Sequence, residues 1–463
     1  MARLGRRLLI GTLVFAAIVL VVAVCAAVFL DVNRYKPSIE NAVSTSLGVE
    51  FRIRGNVALH LLPLPRLKVR DIHLTNGTSE LLSAEELQVS PRLLPFIFHR
   101  RISIDRLTLQ RPQIRLEQPI TIPLRPGRMS SISVQDGAFS YLDQSSGRSI
   151  EVRGLEVTLS DLSLGESDGL QSPALLRSLS LRGTLHATTL QIGPLRASEV
   201  RSGVRAEAGL LQLDPTDVTL FGGDSHGSLT LDLRGPSPRI QVVQVAPQLD
   251  LGQVFPGEKT YFSGTVQASF DAVGTGTDLK AITKTTQGHV AIRGEHLSIE
   301  GWDVDQLIED YNKTQKFSLI DLGAVLVAGP FGPLLTKGSD FARLYGGMGE
   351  GKSEIRTLVS DWAIVDGIAT AKDVAFSTGQ NTVAFQGDVN LVNGGLRGFF
   401  VATVDPRGCA QVKQQITGSL AHPDAPGVAS KSLFGPIGSV IQGALDLVKS
   451  DRCDLFYSGS ALP

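Results

Sequence analysis

The stretch GDSHG at 223–227 places Ser225 in a G-x-S-x-G frame, the spacing of a nucleophile elbow. That chemistry needs a strand before the serine and a helix after it, so that the hydroxyl is lifted clear of the sheet. Here VTLFGG precedes and SLTLDL follows. Both flanks alternate with a period of two, so the pattern is strand–turn–strand, a hairpin and not an elbow. GTG at 274–276 lacks the third glycine and the following helix of a dinucleotide loop. The eight histidines are scattered; His289 and His296 stand closest, without a third metal-ligand type nearby. There is no HExxH, no phosphate-binding loop and no metal-type cysteine pair. No pair of carboxylates stands out. The expectation is a protein that is not an enzyme and carries no cofactor.

Three cysteines remain to be placed. Cys25 lies in an uncharged run, residues 8–30, LLIGTLVFAAIVLVVAVCAAVFL. As a helix that run spans roughly 34 Å, enough for a bilayer core. Arg3, Arg6 and Arg7 precede it and favour a cytoplasmic N-terminus. A signal peptide has a shorter core and a small-residue cleavage site, so an uncleaved anchor is expected. The rest of the chain then lies outside the cytoplasm, where Cys409 and Cys453 are expected to form one disulfide, two free thiols being the alternative.

Beyond the anchor, YKPSIENAVSTSLG reads as a short helix, with Pro37 in its first turn and Gly48 as a left-handed cap. From Val49 the period changes from 3.6 to 2 and stays there for most of the chain. Phe51, Ile53, Val57, Leu59 and Leu61 share one face, and Asn76-Gly77 marks a tight turn. WDVDQLIEDYNK (302–313) reads as a helix. Residues 318–335 are apolar but too interrupted for a second span. Strands resume from Ala363 to about Leu420, and a last amphipathic helix carries Ile437, Val440, Ile441, Ala444 and Val448. No helix sits regularly between strands, which excludes parallel α/β units and favours a mostly antiparallel sheet.

LKVRDIHL (67–74) alternates, slips by one position and alternates again. The same shape recurs as ISIDRLTL (102–109), IEVRGLEV (150–157) and ATAKDVAF (369–376). A bulge inside one strand restores a common apolar face and bends the strand; a turn between two short strands gives the same spacing. The apolar positions Leu67, Val69, Ile72, Leu74, Ile102, Ile104, Leu107 and Leu109 are therefore candidate groove-lining residues. A sheet with one greasy face must bury it, and the visible helices are too few to cover it. A closed barrel or sandwich is one solution; an open groove filled by hydrocarbon is another.

Charge adds little. Lys+Arg 44 against Asp+Glu 45 gives no support to a nucleic-acid partner. Residues 51–128 hold 13 Lys+Arg against 6 Asp+Glu, a local excess of seven cations. Such a patch suits anionic headgroups or serves as charged strand edges that block aggregation.

The order of elements resembles the AsmA family of envelope proteins. The N-terminal likeness is the anchor, the helix ending at Gly48, then FRIRGNVALHLLPLPRLKVRDIHLTN and ISIDRLTLQRPQIRLE. The C-terminal likeness is GTVQASFDAVGTGTDLKAITKTTQGHVAIRG, LGAVLVAGPFGPLLTKG and VDGIATAKDVAFSTGQNTVAFQGDVNLVNGGLRG. The resemblance implies a single-pass inner-membrane protein with its bulk in the periplasm. It implies a mostly β fold, an elongated, twisted, largely antiparallel sheet forming a taco-like groove, with a few short helices. The implied partners are phospholipid or another acyl-chain lipid, the inner membrane and outer-membrane components. The expected organisation is an anchor over 1–30, a membrane-proximal helix and β segment over 31–120, and a central groove over 121–300. A helical, Gly/Pro-rich insertion follows over 301–362, then a C-terminal β segment over 363–463. The runner-up is a non-enzymatic assembly factor for outer-membrane proteins.

Overall fold

The computed structural model describes residues 32–60, 65–77, 79–91, 104–117, 127–143, 148–165, 177–193, 195–254, 262–301, 303–306, 308–309, 351–420, 422–424 and 453–462. The expected membrane anchor, the 318–335 segment and the 437–448 helix lie outside them. Among the described residues no helix is long and apolar enough to cross a membrane. The described chain is mostly strand, mostly antiparallel, with few helices. It divides into two units, Met1–Ile192 with Gly203–Gly209, and Gly193–Ser202 with Leu210–Pro463.

The first unit opens with α1 (Lys36–Leu47), closed by Gly48 at φ 70° as the sequence predicts. The strands follow as β1 (Glu50–Ile53), β2 (Val57–His60), β3 (Arg66–Asn76), β4 (Ser79–Pro91), β5 (Ile104–Gln110), β6 (Gln113–Leu116), β7 (Gly127–Asp143), β8 (Arg148–Leu164) and β9 (Leu179–Ile192). Neighbours pair antiparallel except where β5 and β6 meet β7, which is parallel. β5 and β6 act as one interrupted strand: both pair with β4 on one side and β7 on the other. α1 guards the outer edge of β1, and Asn33, in the short 3₁₀ turn Val32–Tyr35 before it, accepts from the Val57 N–H of β2 at 2.9 Å. The Ile53 N–H donates to Glu40 Oε1 at 2.7 Å and the Phe51 N–H to Ser44 Oγ at 2.9 Å. An edge whose N–H groups are taken by helix side chains cannot template another strand.

β10 (Leu195–Glu207) is divided between the units. The second unit continues with β11 (Leu210–Leu220), β12 (Gly223–Asp232), β13 (Arg239–Asp250), β14 (Phe262–Ser263), β15 (Thr265–Thr275), β16 (Gln287–Glu300), β17 (Lys352–Val365), β18 (Ile368–Ser377), β19 (Thr382–Asn390), β20 (Leu396–Val404), β21 (Ala410–Ser419) and β22 (His422–Asp424). The strands pair in sequence as an antiparallel meander, with β14 added beside β16. Its core is dense. Trp362, Phe376 and Phe399 are fully buried, and the Trp362 and Phe399 rings stack at 6.5 Å. Val304 and Ile308, from the part of the expected 302–313 helix that is described, are buried in the same cluster. β17 begins at Lys352, earlier than the Ala363 expected from sequence, because its inward positions include Ser353 and Ser360, which break the apolar alternation.

Cys409 and Cys453 form a disulfide with Cα atoms 5.2 Å apart. It ties residues 453–462 onto β18–β20, where Phe456, Tyr457 and Ala461 bury Ala375, Ala384 and Ala402. The Tyr457 hydroxyl and the Ser460 hydroxyl both donate to Asp373. Burial, together with that hydrogen bond, pushes the Tyr457 phenol well above its usual range.

Every recurring slip falls inside a single strand. β3 carries it at Asp71 (φ 53°) and β8 at Gly154 (φ 60°). In β5 and β18 it is one extra residue, Asp105 and Lys372, against the partner strand. No turn divides these strands. β5 and β18 carry a bulge. β3 instead stays in register with β4 through Asp71 (Arg70 opposite Glu86, Ile72 opposite Ala84), and β8 with β9 through Gly154 (Arg153 opposite Thr189, Leu155 opposite Ala187), so paired strands slip together. Val69 and Leu74 flank the slip in β3 and are buried in the same cluster, so the common face is restored.

Candidate functional site

Antiparallel and parallel registers put directly paired residues on one face of a sheet. Following the pairs across the first unit gives continuous apolar rows. One runs Val69–Leu87–Leu109–Val134–Val157–Leu185 from β3 to β9. A second runs Leu67–Val89–Leu107–Ile132–Leu159. A third, beyond the slip, runs Leu74–Leu82–Ile114–Phe139–Val152–Leu190. Six strands at the usual spacing make the first and third rows about 24 Å wide, and the five strands of the second make it about 19 Å. The opposite face of β7–β9 is polar, for instance Ser133–Thr158–Thr184 and Ser131–Ser160–Arg182.

The rows are covered at one end only. At β3 the face packs under α1: Val69 and Ile72 are each 2% exposed, and Phe51, Ile53 and Val57 share their cluster with Ile39, Val43 and Leu47 of the helix. Leu82, Leu87 and Leu109 lean on that cluster's rim. Further on, the side chains of Ile132, Val134, Val152, Val157, Leu159 and Leu190 are only half-buried, and Ile192 is 47% exposed. Among the described residues no core cluster reaches β7, β8 or β9.

This redistributes the lining expected from sequence. Leu67, Ile104, Leu107 and Leu109 are half-buried, three of them within the rows. Val69, Ile72 and Leu74 are buried among this chain's own residues: Ile39, Val43 and Leu47 of α1 pack on their cluster, and β1 and β2 lie beside β3 in the sheet. Ile102 lies outside the described residues. The positions that remain uncovered, Val134, Val157, Leu185 and their neighbours, were visible only as alternation; nothing in the sequence gives the register that aligns them.

The other candidates dissolve on inspection. Ser225 is 1% exposed, whereas His226, the next residue, faces the other way and meets Asp217 at 2.7 Å, so no base reaches the serine. His289 and His296 each pair separately with Asp361 and Glu354. Among the described residues no group of histidine, cysteine and carboxylate is placed to hold a metal. Several of the described cations of the basic stretch are paired locally. Arg52 pairs with Glu50, Lys68 and Arg70 with Glu86, and Arg111 with Glu85. Glu86 is buried, which alone raises a carboxyl's pKa; the hydrogen bonds from Lys68, Gln88 and Arg70 outweigh this and hold it below the usual range. An open cleft of about 540 Å³ beside α1, lined by Glu40, Ser44, Thr45 and Arg52 among others, is polar and stands apart from the rows in character.

Residues 5–119, which include α1 and β1–β6, match the family model described as AsmA family. Over that stretch the chain is similar to the AsmA family. The AsmA match therefore takes in the closed end of the apolar face and the first strands that leave it. No curated protein and no solved structure matches the chain. The AsmA match and a large β-sheet fit a lipid-transport or cell-envelope role.

Proposed function

We propose that this chain is a non-enzymatic lipid-binding protein of the cell envelope, anchored in the inner membrane by residues 8–30 and projecting into the periplasm. Phospholipid, or another acyl-chain lipid, lies along the apolar face of the first unit, which serves as one wall of a hydrophobic groove. In that role the protein conducts lipid and supports outer-membrane lipid homeostasis. One observation carries this: two apolar rows cross from β3 to β9 and a third from β3 to β8, and they lose their protein cover beyond β5. Exposed apolar surface of that continuity is unfavourable in water, and each methylene that covers it gains about 0.8 kcal/mol. An acyl chain fits because the uncovered rows carry no charge and offer no polar group to recognise anything else.

A photoreactive amino acid placed at Val134, Val157 or Leu185 tests the assignment in the full-length protein in cells. The expected adducts are to phospholipid, with Trp362 as a buried control that gives none. Adducts to outer-membrane proteins instead would support the alternative, an assembly factor. Adducts only within the chain would mean the face is closed by its own residues, and would end the lipid proposal.

A further inference from the structure

The second unit has its own apolar rows, and a polar row interrupts them. Leu211–Leu231–Ile240 and Leu213–Leu229–Val242 lie side by side on the inner face of β11, β12 and β13, all half-buried. The next row along the strands is Thr216–Gly227–Gln244. Ser225 lies on the same face one step further, paired with Val218. Thr216 is fully engaged: its hydroxyl donates to the Leu213 carbonyl at 3.0 Å and meets the Ser202 hydroxyl at 3.0 Å. Ser225 Oγ and Gln244 Nε2 are buried and, among the described residues, have no hydrogen-bond partner. Gly227 makes room between them, since a Cβ there would fall 2.4 Å from Gln244 Oε1.

Buried donors are normally satisfied, and a specific exception calls for a cause. Here two stand as diagonal neighbours at the head of an apolar lane. Both can donate, so the group they await accepts. No Lys, Arg or His occupies an inner-face position of β11–β13, so that group is uncharged. From this geometry we infer that Ser225 and Gln244 form a subsite for the ester carbonyl of an acyl lipid, whose hydrocarbon lies on the leucine and valine rows beside it. This rests on the acyl-lipid proposal above and adds a linkage preference to it. It also gives Ser225 a role that its G-x-S-x-G frame does not: a hydrogen-bond donor, not a nucleophile.

The test uses the full-length protein and donor vesicles of equimolar diester and diether phosphatidylcholine with matched chains. Bound lipid is recovered after size exclusion and quantified by mass spectrometry. Each hydrogen bond to an ester carbonyl is worth about three- to tenfold in affinity, so with two donors the wild type should enrich the diester form by about ten- to a hundredfold. The double variant Ser225→Ala, Gln244→Leu should bring the ratio to that of the vesicles while total bound lipid is largely kept. In the lipid-free protein Ser225→Ala should leave the melting midpoint unchanged or raise it, because it deletes an unpaired buried hydroxyl; this serves as the folding control. Equal retention of diester and diether by the wild type would mean the row holds water only and overturn the subsite while sparing the lipid proposal. Enrichment that survives in the double variant would place the discrimination elsewhere. Retention of neither lipid would remove both.

Discussion

Val157→Asp separates a lipid-bearing face from an ordinary sheet surface. Val157 sits mid-row, between Val134 on β7 and Leu185 on β9, and is half-buried. An aspartate there keeps contact with water in the empty protein, so the folding cost should stay near or below about 1.5 kcal/mol. A lipid chain laid over the row must strip that water away. Desolvating an unpaired carboxylate costs at least several kcal/mol, and even about 3 kcal/mol corresponds to roughly a hundredfold in affinity. Thr158→Asp is the matched control: the next residue on the same strand, exposed and on the polar face, opposite Ser133 and Thr184. The measurements are phospholipid per protein by mass spectrometry after purification, and the melting midpoint by circular dichroism. Val157→Asp should lose nearly all co-purified phospholipid with a midpoint close to that of the control. Wild-type lipid content in Val157→Asp would refute the lane. So would equal loss in both variants, because the effect would then be general and not a property of the face.

Reducing the Cys409–Cys453 disulfide, or Cys453→Ser, frees a loop of 44 residues; the chain-entropy model assigns it about 4 kcal/mol, so the second unit's urea transition should fall by roughly that amount while the first unit's stays put. Trp362→Ala removes a fully buried indole and should cost about 3–5 kcal/mol in the same transition, read by near-ultraviolet circular dichroism. Glu86 has a folded pKa below its ordinary 4.5, so it stabilises the fold above that pH and the contribution fades as pH falls through the folded value. Glu86→Gln should therefore destabilise by about 1–2 kcal/mol at neutral pH, and the gap to wild type should close on acidification in a pH series of melting midpoints; a gap independent of pH would contradict the assignment.

The sequence made the strand content legible because the period of two persists from Phe51 to about Glu300 and returns from Ala363 to Leu420, and α1 because Pro37 and Gly48 bracket it. The slips were legible as spacing but ambiguous between bulge and turn. Spacing alone does not show that Asp71 takes a left-handed conformation within a continuous strand, nor that Lys372 is an unpaired extra residue. The start of β17 was missed for a related reason. Ser353 and Ser360 face inward because they have uses there, accepting from the Val304 N–H at 2.7 Å and from Trp362 Nε1 at 2.8 Å, and a buried serine with a partner looks like a surface serine in a one-dimensional pattern.

The candidate site was half legible for a deeper reason. LKVRDIHL and IEVRGLEV are nearly the same text, yet Val69 is sealed and Val157 is not. What differs is their cover: α1 lies across β3, and no equivalent helix lies across β8 among the described residues. Amphipathic alternation tells which side chains share a face, and it says nothing of what that face meets. Where a core is its own partner, the inward positions grow large and interlock, as Trp362, Phe376 and Phe399 do in the second unit. Across β7–β9 the inward positions are mostly valine, leucine and isoleucine. A smooth aliphatic wall with no interlocking aromatic core suits a sliding hydrocarbon better than a fixed protein neighbour, because dispersion contacts with a mobile chain need area and not shape. The same contrast implies that replacing Val157 by Leu, an added methylene, should be tolerated, while an equal enlargement at Val383 in the closed core should cost about 1–3 kcal/mol.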